Sequence, residues 1–418
     1  MTTFRFIHCS DLHIDSPFKG LGGVRPELAA TLREATYKSF QNIVALALRE
    51  QVSAVIIAGD VYDGTDKSLH AQFRFRHGLQ ELSNAGIEVF VAHGNHDPLD
   101  GWSASLRWPE RVHVFAGKEP ERIPIIQNGI EIAQIHGCSF PTRDVKENLA
   151  LKFDPGQYAG FSIAVLHANV GGNTGHENYA PCTLEDLISK GFDYWALGHV
   201  HCNQILRAER PAVVYPGNTQ ARHSRESGAK GCCLVELTHD SAPDIRFIPI
   251  DALRYIVSRL NIESAFDLDS AAEKIQAHCE GLSVEAEDRP VLIRLSLEGR
   301  TSINHELRKP GALDAFADEL QTIFEAREPQ IWLDLKLNTA GTFDINALKK
   351  GNDFIADLLS HYSEVEASDH ADAIREQLKP MFESWQGRSF LEEISDEELA
   401  KILADARDLT LNHLIPPS

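Results

Sequence analysis

Apolar positions near the N-terminus of this 418-residue chain fall into short runs separated by longer amphipathic stretches. Phe4-Arg5-Phe6-Ile7-His8-Cys9 reads as a strand and Pro26 to Gln51 as a helix. Ala54-Val55-Ile56-Ile57-Ala58 is apolar throughout and is stopped by Gly59, the pattern of a strand buried on both faces. A second helix is predicted from Ser68 to Ala85 and a third strand from Ile87 to Ala92. This β-α-β-α-β opening implies parallel pairing with right-handed crossovers.

Beyond Arg111 the strand patterns crowd together: Glu131–Cys138, Phe161–Leu166, Tyr194–Leu197, Ala212–Tyr215, Cys232–Leu237 and Ile245–Ile250. Thr183–Lys190 is the clearest helix among them, so a second and more antiparallel sheet is expected to pack on the first. The expected class is α/β, a four-layer αββα sandwich over residues 1–252. Residues 253–340 read as a small α+β unit, with strands at Arg254–Leu260, Pro290–Leu297 and Ile331–Leu337. Helices at Leu268–Gly281 and Ala312–Ala326 alternate with them. Residues 341–418 form a helical C-terminal region, punctuated by Pro380 and Gly387.

Hydrophobic residues make up 43% of the chain, enough for a substantial core. No apolar run approaches the ~18 residues of a membrane helix, and the first residues lack the layout of a secretory signal. Seven cysteines without a CxxC pair fit a reduced, cytoplasmic setting and argue against thiolate zinc. The formal net charge is −21. Residues 1–250 carry 23 Lys+Arg against 28 Asp+Glu, and residues 251–418 carry 17 against 33, so the C-terminal part holds −16 of the total. Such a balance argues against a simple electrostatic DNA binder, and any phosphate site must work against the global field.

Candidate chemistry sits in five short segments: Asp11-Leu12-His13, Gly59-Asp60-Val61-Tyr62-Asp63, Gly94-Asn95-His96-Asp97, Leu166-His167, and Gly198-His199-Val200-His201. All five lie at or just past the end of a predicted strand, where ligands of α/β sheets bind. Residues i and i+2 of extended chain share a side, so Asp11 and His13 can face one pocket, as can His199 and His201. Asp-x-His alone is expected by chance in a chain so rich in both residues; the ordered set is not. Asp11, His13, Asp60, Asn95, His167, His199 and His201 make seven oxygen and nitrogen ligands. If Asp60 bridges, two ions receive four protein ligands each. Mn²⁺, Fe²⁺ or Zn²⁺ suit such donors, and a metal pair suits in-line attack at phosphorus.

His96 follows a ligand by one residue and is expected to act as the general acid, with Asp97 orienting its ring. Asp63 either positions substrate or caps the next element, and His223 either supports the site or lies at the surface. His8, His93, Cys9 and Cys202 are expected to be structural. Two apolar stripes mark the helical tail: Ile345, Leu348, Phe354, Leu358, Leu359 and Tyr362, then Leu391, Ile394, Leu399, Ile402 and Leu403. They either pack on their own domain or dock a partner.

These motifs, in this order, resemble the calcineurin-like metallophosphoesterase superfamily. Phe6-Ile7-His8-Cys9-Ser10-Asp11-Leu12-His13-Ile14 is similar to the opening of the SbcD/YhaO-type bacterial DNA repair exonucleases. Asp15-Ser16-Pro17-Phe18, and Tyr215-Pro216-Gly217-Asn218 followed by Arg222-His223, Arg225-Glu226 and Gly231-Cys232, resemble its YhaO branch. The resemblance covers roughly residues 4–250. It implies a Mn²⁺-dependent 3′→5′ DNA exonuclease with endonuclease activity, often paired with an SMC-like ATPase. It also implies that Asp11, His13, Asp60 and His201 bind one ion, that Asp60, Asn95, His167 and His199 bind the other, and that His96 is catalytic. Arg222 and His223 join Asp63 as substrate-binding candidates, and residues 253–340 take the place of the family's capping domain. Relatives outside the bacteria carry His where this chain has Asp63. DNA, an SMC-like ATPase and a second copy of the chain are the expected partners, with no membrane. The same metal core would also serve a phosphomonoesterase or a cyclic-nucleotide phosphodiesterase, and a regulatory role within an ATPase complex is a third reading.

Overall fold

A computed structural model describes residues 3–21, 26–64, 68–102, 106–172, 177–325, 327–367, 374, 376–380 and 394–415. Contacts divide the chain into two units, residues 1–255 and 256–418.

The first unit opens with Thr3–Cys9 (β1), Pro26–Glu50 (α1), Ala54–Ala58 (β2), Leu69–Asn84 (α2), Glu88–Ala92 (β3) and Val112–Val114 (β4). It continues with Glu121–Gln127 (β5), Ile130–Cys138 (β6), Phe161–His167 (β7), Leu184–Ile188 (α3), Tyr194–Gly198 (β8), Gln204–Arg207 (β9), Ala212–Tyr215 (β10), Gly231–Thr238 (β11) and Asp244–Pro249 (β12). Two six-stranded sheets result, in the orders β12-β11-β1-β2-β3-β4 and β5-β6-β7-β8-β10-β9. Strands β1 to β4 are parallel; β11 pairs antiparallel with β1, and β12 antiparallel with β11.

The period-2 alternation of side chains assigns each residue to a layer. On β1 and β2, Phe4, Phe6, Ala54, Ile56 and Ala58 face the second sheet, meeting Ile135, Ile163, Val165 and Tyr194. Their neighbours Ile7, Cys9, Val55 and Ile57 face outward, under Phe40, Ile43 and Val44 of α1 and Phe75, Leu79 and Leu82 of α2. On β7, Ala164 and Leu166 point away from the first sheet into a cluster with Leu187 of α3, Phe153 and Trp195. The αββα sandwich is therefore present, although its fourth layer is thin.

The second sheet departs from expectation. Its four central strands, β6, β7, β8 and β10, are parallel, and only the edges β5 and β9 are antiparallel. The closely spaced strand patterns led to the expectation of a more antiparallel sheet. The connections after β6 and β7 are instead crossovers built from loops and short helical turns, long enough for parallel pairing, and the connection from β8 to β10 runs through the edge strand β9.

The second unit is built on a three-stranded sheet, Arg254–Asn261 (β13), Val291–Arg300 (β14) and Ile331–Ala340 (β15), with β14 central and parallel to β15. Leu268–Glu285 (α4) starts at a reciprocal cap between Asp267 and Ser270 and buries Ala271, Ile275 and Cys279. Asn304–Leu307 (α5) leads to Ala312–Phe324 (α6), which buries Phe316, Leu320 and Phe324 in the same core. Ile345–Leu348 (α7), Phe354–Ala367 (α8) and Asp396–Leu414 (α9) follow. Within the second unit, helix α9 is tied to the ends of β14 and β15. Arg300 pairs with Asp408, and Asn412 Oδ1 accepts from Asn304 Nδ2 (3.1 Å) and Gly341 N (2.9 Å). Of the two apolar stripes, Leu359 and Leu399 are buried, while Phe354 and Ile402 stay exposed. Leu391 lies outside the described residues. Among the described residues no helix is long and apolar enough to cross a membrane.

Leu411 is fully buried on the inner face of α9. Leu411→Ala is expected to destabilise the second unit by about 2–5 kcal/mol, the range for removing a buried Leu side chain. Hydrolysis of small phosphoesters should persist, because every candidate ligand lies before Cys202. Denaturant titration alongside an activity assay checks both parts; an unchanged unfolding profile would show that α9 is a detached arm.

Candidate metal centre

Strands β1, β2, β3, β7 and β8 all end where the candidate residues begin, and the turns that follow are held in unusual conformations. Asp11 (φ 53°), His13 (φ 44°), Asp60 (φ 52°) and His199 (φ 98°) are all left-handed. Non-glycine residues adopt this region at a cost of order 1–3 kcal/mol and keep it only where surroundings impose it. Here backbone bonds do so: Asp11 N to Gly59 O (3.0 Å), His13 N to Asp60 O (3.1 Å) and Ile14 N to Val61 O (2.9 Å). Gly59 and Gly94 are required by close approach, since a Cβ on either would overlap His167, and on Gly94 also the Asp60 carboxylate.

The seven expected ligands converge. Asp60 Oδ2 lies 3.4 Å from His167 Nε2 and 3.8 Å from His13 Nε2, while its Oδ1 accepts from His96 N at 2.9 Å. Asn95 Oδ1 is 3.1 Å from His167 Nε2. On the other side, Asp11 Oδ1 lies 3.6 Å from His201 Nε2, and Asp11 Oδ2 accepts from Ser10 Oγ (2.5 Å) and His199 N (3.1 Å). The ring of His199 stands 5.2 Å from that of His167. Outer partners set the rings: His167 Nδ1 meets Ala58 O at 2.9 Å, His199 Nε2 meets Glu177 O at 2.7 Å, and His201 Nδ1 meets Glu226 Oε1 at 2.6 Å. A carbonyl only accepts, so the outer nitrogen of His167 and of His199 carries a proton, and the inner one is left, once free of a proton, to donate its lone pair to an ion.

A divalent ion fits these donors. Both ring nitrogens of His13 and Asp11 Oδ1 are buried without a hydrogen-bond partner. Buried polar atoms left unpaired are costly, and an ion at this position would satisfy Asp11 Oδ1 and one nitrogen of the His13 ring. Ligand atoms of Asp11, His13 and His201, and of Asp11, Asp60 and His167, lie within 4.8 Å of one another.

Burial would raise the carboxyls of Asp11 and Asp60, yet both stay low because His201 and His167 pair with them. The same pairing lifts His167 and His201 to about 9, against burial. His13 and His199 are desolvated with less compensation; His13 falls well below the ordinary value and His199 to about 3.

His96 stands at the rim, its side chain 31% exposed, whereas those of His13 and His167 are fully buried. Its orienting partner is Asp63, not Asp97. Asp63 Oδ1 meets His96 Nδ1 at 2.7 Å, and Asp63 Oδ2 accepts from Arg222 Nη1 (2.9 Å) and Ser16 Oγ (3.2 Å), with Lys19 Nζ at 3.6 Å. The Asp63 carboxyl is held well below its usual range by His96 and Arg222, against burial. Asp97 is used up locally: its Oδ2 accepts from Val61 N (2.9 Å) and pairs with His93 Nδ1 (3.0 Å), and its Oδ1 accepts from Gly94 N (2.9 Å). It locks the turn that carries Asn95 and His96. Neighbours in a tight turn point apart, so adjacency to His96 misled.

Arg222 and Asp63 therefore neutralise each other beside His96, and neither carboxylate oxygen of Asp63 is left for substrate. His223 turns onto its own loop, where Nδ1 accepts from Arg225 N at 3.2 Å. His8 is structural as expected, bonded to Tyr194 Oη (3.0 Å) and Leu197 O (3.1 Å). Glu226 and Ser10, which hold His201 and Asp11, were not assigned roles from the sequence. Glu226 was visible only within the Arg225-Glu226 pair that resembles the YhaO branch.

Residues 4–203 match the family model of calcineurin-like phosphoesterases, and residues 257–340 match the middle domain of metallophosphoesterase YhaO. The chain belongs to the calcineurin-like metallophosphoesterase family. It is 34% identical over 406 residues to an uncharacterized metallophosphoesterase YhaO of Bacillus subtilis, covering 96% of this chain and 97% of that one. It is 24% identical over 319 residues to the DNA double-strand break repair protein Mre11 of Sulfurisphaera tokodaii, covering 74% and 77%. It is 24% identical over 267 residues to one of the subunits of the nuclease SbcCD of Bacillus subtilis, covering 56% and 66%. The family's fold implies a binuclear divalent metal site, and the cluster supplies donors for one.

Raised histidines give metal binding a definite pH dependence. With folded values of about 9, protons on His167 and His201 stabilise the metal-free protein fully below ~6.5, the unfolded value, and this stabilisation fades as pH rises through 9. An ion must displace those protons. Affinity for Mn²⁺ is therefore expected to rise between pH 6.5 and 9, with release of about two protons per protein near pH 7. Calorimetry in buffers of different ionisation enthalpy measures the release; a buffer-independent heat would contradict the assignment.

Proposed function

We propose that this chain is a two-metal phosphodiesterase acting on DNA, a Mn²⁺-dependent exonuclease that degrades from 3′ ends and also has endonuclease action. The observation that carries the proposal is Asp60, whose Oδ2 stands within reach of both His13 and His167. Asp11, His13, Asp60 and His201 would hold one ion, and Asp60, Asn95, His167 and His199 the other. Divalent ions held there would supply Lewis acidity toward a phosphoryl oxygen and a nucleophilic water.

The chain's own contribution lies around His96. Asp63 engages Nδ1, which leaves Nε2 as the nitrogen available to protonate the leaving oxygen. Arg222 and Ser16 fix Asp63, so the ring is held by a positioned carboxylate. Lys19, 60% exposed and adjoining Asp63, adds a cation where a phosphate would approach. The DNA reading is supported by the names of the Mre11 and SbcCD relatives, and the likeness to SbcD-type nucleases also supports an SMC-like ATPase as partner. Seven unpaired cysteines, six of them buried, fit a cytoplasmic setting.

Purified protein with Mn²⁺, given end-labelled duplex, single-stranded DNA and a chromogenic phosphodiester, tests the proposal. Shortening from 3′ ends is the expected result. Hydrolysis of the chromogenic ester alone would keep a phosphodiesterase and reject DNA as substrate.

His96→Ala is expected to keep two ions yet lose ~10²–10⁴-fold in turnover. Asp63→Asn should fall between it and wild type, because the ring remains while its orientation weakens. His199→Ala should lose metal first. Metal analysis with single-turnover rates distinguishes the three, and equal metal loss in the His96 and His199 variants would contradict this division of roles.

A further inference from the structure

Among the histidines of the cluster, His201 is held differently. His167 and His199 lean on backbone carbonyls, of Ala58 and Glu177, whereas His201 Nδ1 meets a carboxylate, Glu226 Oε1, at 2.6 Å. That carboxylate has no freedom to swing. Its second oxygen accepts from Asn218 Nδ2 at 3.0 Å and from Arg222 N at 2.7 Å.

The loop that carries it, residues 217–230, is strapped at both ends. Near its start, Gln220 Oε1 accepts from Ala252 N (2.9 Å) and Leu253 N (3.3 Å), while its Nε2 donates to Leu253 O (2.6 Å). Near its end, Gly228 N donates to Tyr255 O (2.9 Å), and Lys230 Nζ donates to the carbonyl of His201 itself (3.2 Å). Side chain and backbone of His201 are thus both gripped by this one loop.

We propose that Glu226 is the positioning residue of the ion site formed by Asp11, His13, Asp60 and His201, setting the affinity of that site and not of its neighbour. The carboxylate only accepts, so His201 Nδ1 carries the proton and Nε2, 3.6 Å from Asp11 Oδ1, is the donor toward the ion. A carboxylate behind an imidazole fixes the ring and strengthens its donor nitrogen, and losing such a partner typically costs 10–100-fold in metal affinity. The outer nitrogens of His167 and His199 meet the carbonyls of Ala58 and Glu177 instead, so Glu226 is expected to act on the second ion far less.

The test is Mn²⁺ binding, by calorimetry and by the paramagnetic resonance of free and bound ion, on wild type, Glu226→Ala and Glu226→Gln. Melting of each metal-free protein monitors folding. In Glu226→Ala one ion is expected to weaken by about 10–100-fold while the other stays within about threefold. Glu226→Gln, which can still accept from Nδ1, should recover part of the loss at the same ion. Unchanged binding of both ions in either variant would overturn the proposal, and so would equal weakening of both ions in a folded variant. The proposal rests on the two-ion reading; a wild-type protein that binds a single ion would fail that reading instead.

Discussion

Two carboxylates, Asp11 and Asp60, are buried at the strand ends, and the ion-pair partners described for both are imidazoles, with no Lys or Arg among them. Burying a charge without a fixed counter-charge is among the least favourable things a fold can do. Most of the first unit's local peculiarities follow from it. Histidines must close in from three separate segments, because only an imidazole can serve as counter-charge in one state and as neutral ligand in another. The backbone must bring them close enough, which forces left-handed residues at Asp11, His13, Asp60 and His199 and bare glycines beside His167.

The sandwich makes this arrangement affordable. Parallel strands of two sheets end at the same place, so five segments just past strand ends can contribute to one cluster. The layer between the sheets, from Phe4 and Phe6 to Ile163 and Tyr194, is apolar and closely packed, and it anchors the strained turns from below. His8 shows how sharp the border is. Two residues short of Ser10 on the same strand, burial drives it to about 3 and it serves only as a neutral bridge to Tyr194 and Leu197.

What the sequence made legible was whatever depends on neighbours along the chain. Ala54–Ala58 is stopped by Gly59, Asn95 precedes His96, and His199 and His201 alternate, so strand ends and ligand types could be read directly. The α+β alternation of the second unit was equally plain, since each strand and helix there carries its own period. Misreadings came where the deciding partner is distant. Asp63 holds His96 from 33 residues away, while Asp97, next door, serves the turn. Glu226 grips His201 across 25 residues. The parallel pairing of β6, β7, β8 and β10 was hidden for a related reason: without long crossover helices, a parallel sheet and a meander look alike in sequence.

An acidic chain that handles phosphate must solve its electrostatics locally. At physiological ionic strength charges are screened beyond ~8 Å, so acidic residues farther than that contribute little to the field at the cluster. Within that radius the balance differs. Asp63, which could have repelled a phosphate, is offset by Arg222 and Lys19. Asp11 and Asp60 together bring −2, and two divalent ions would bring +4, leaving a positive centre whatever the chain's total of −21. The low exposure of both carboxylates strengthens this, because a buried centre is less screened than a surface one. Phosphate recognition on this reading belongs to the ion cluster and its rim. A basic face, of the kind that carries most DNA binders, is not needed to explain how such a chain reaches a phosphodiester.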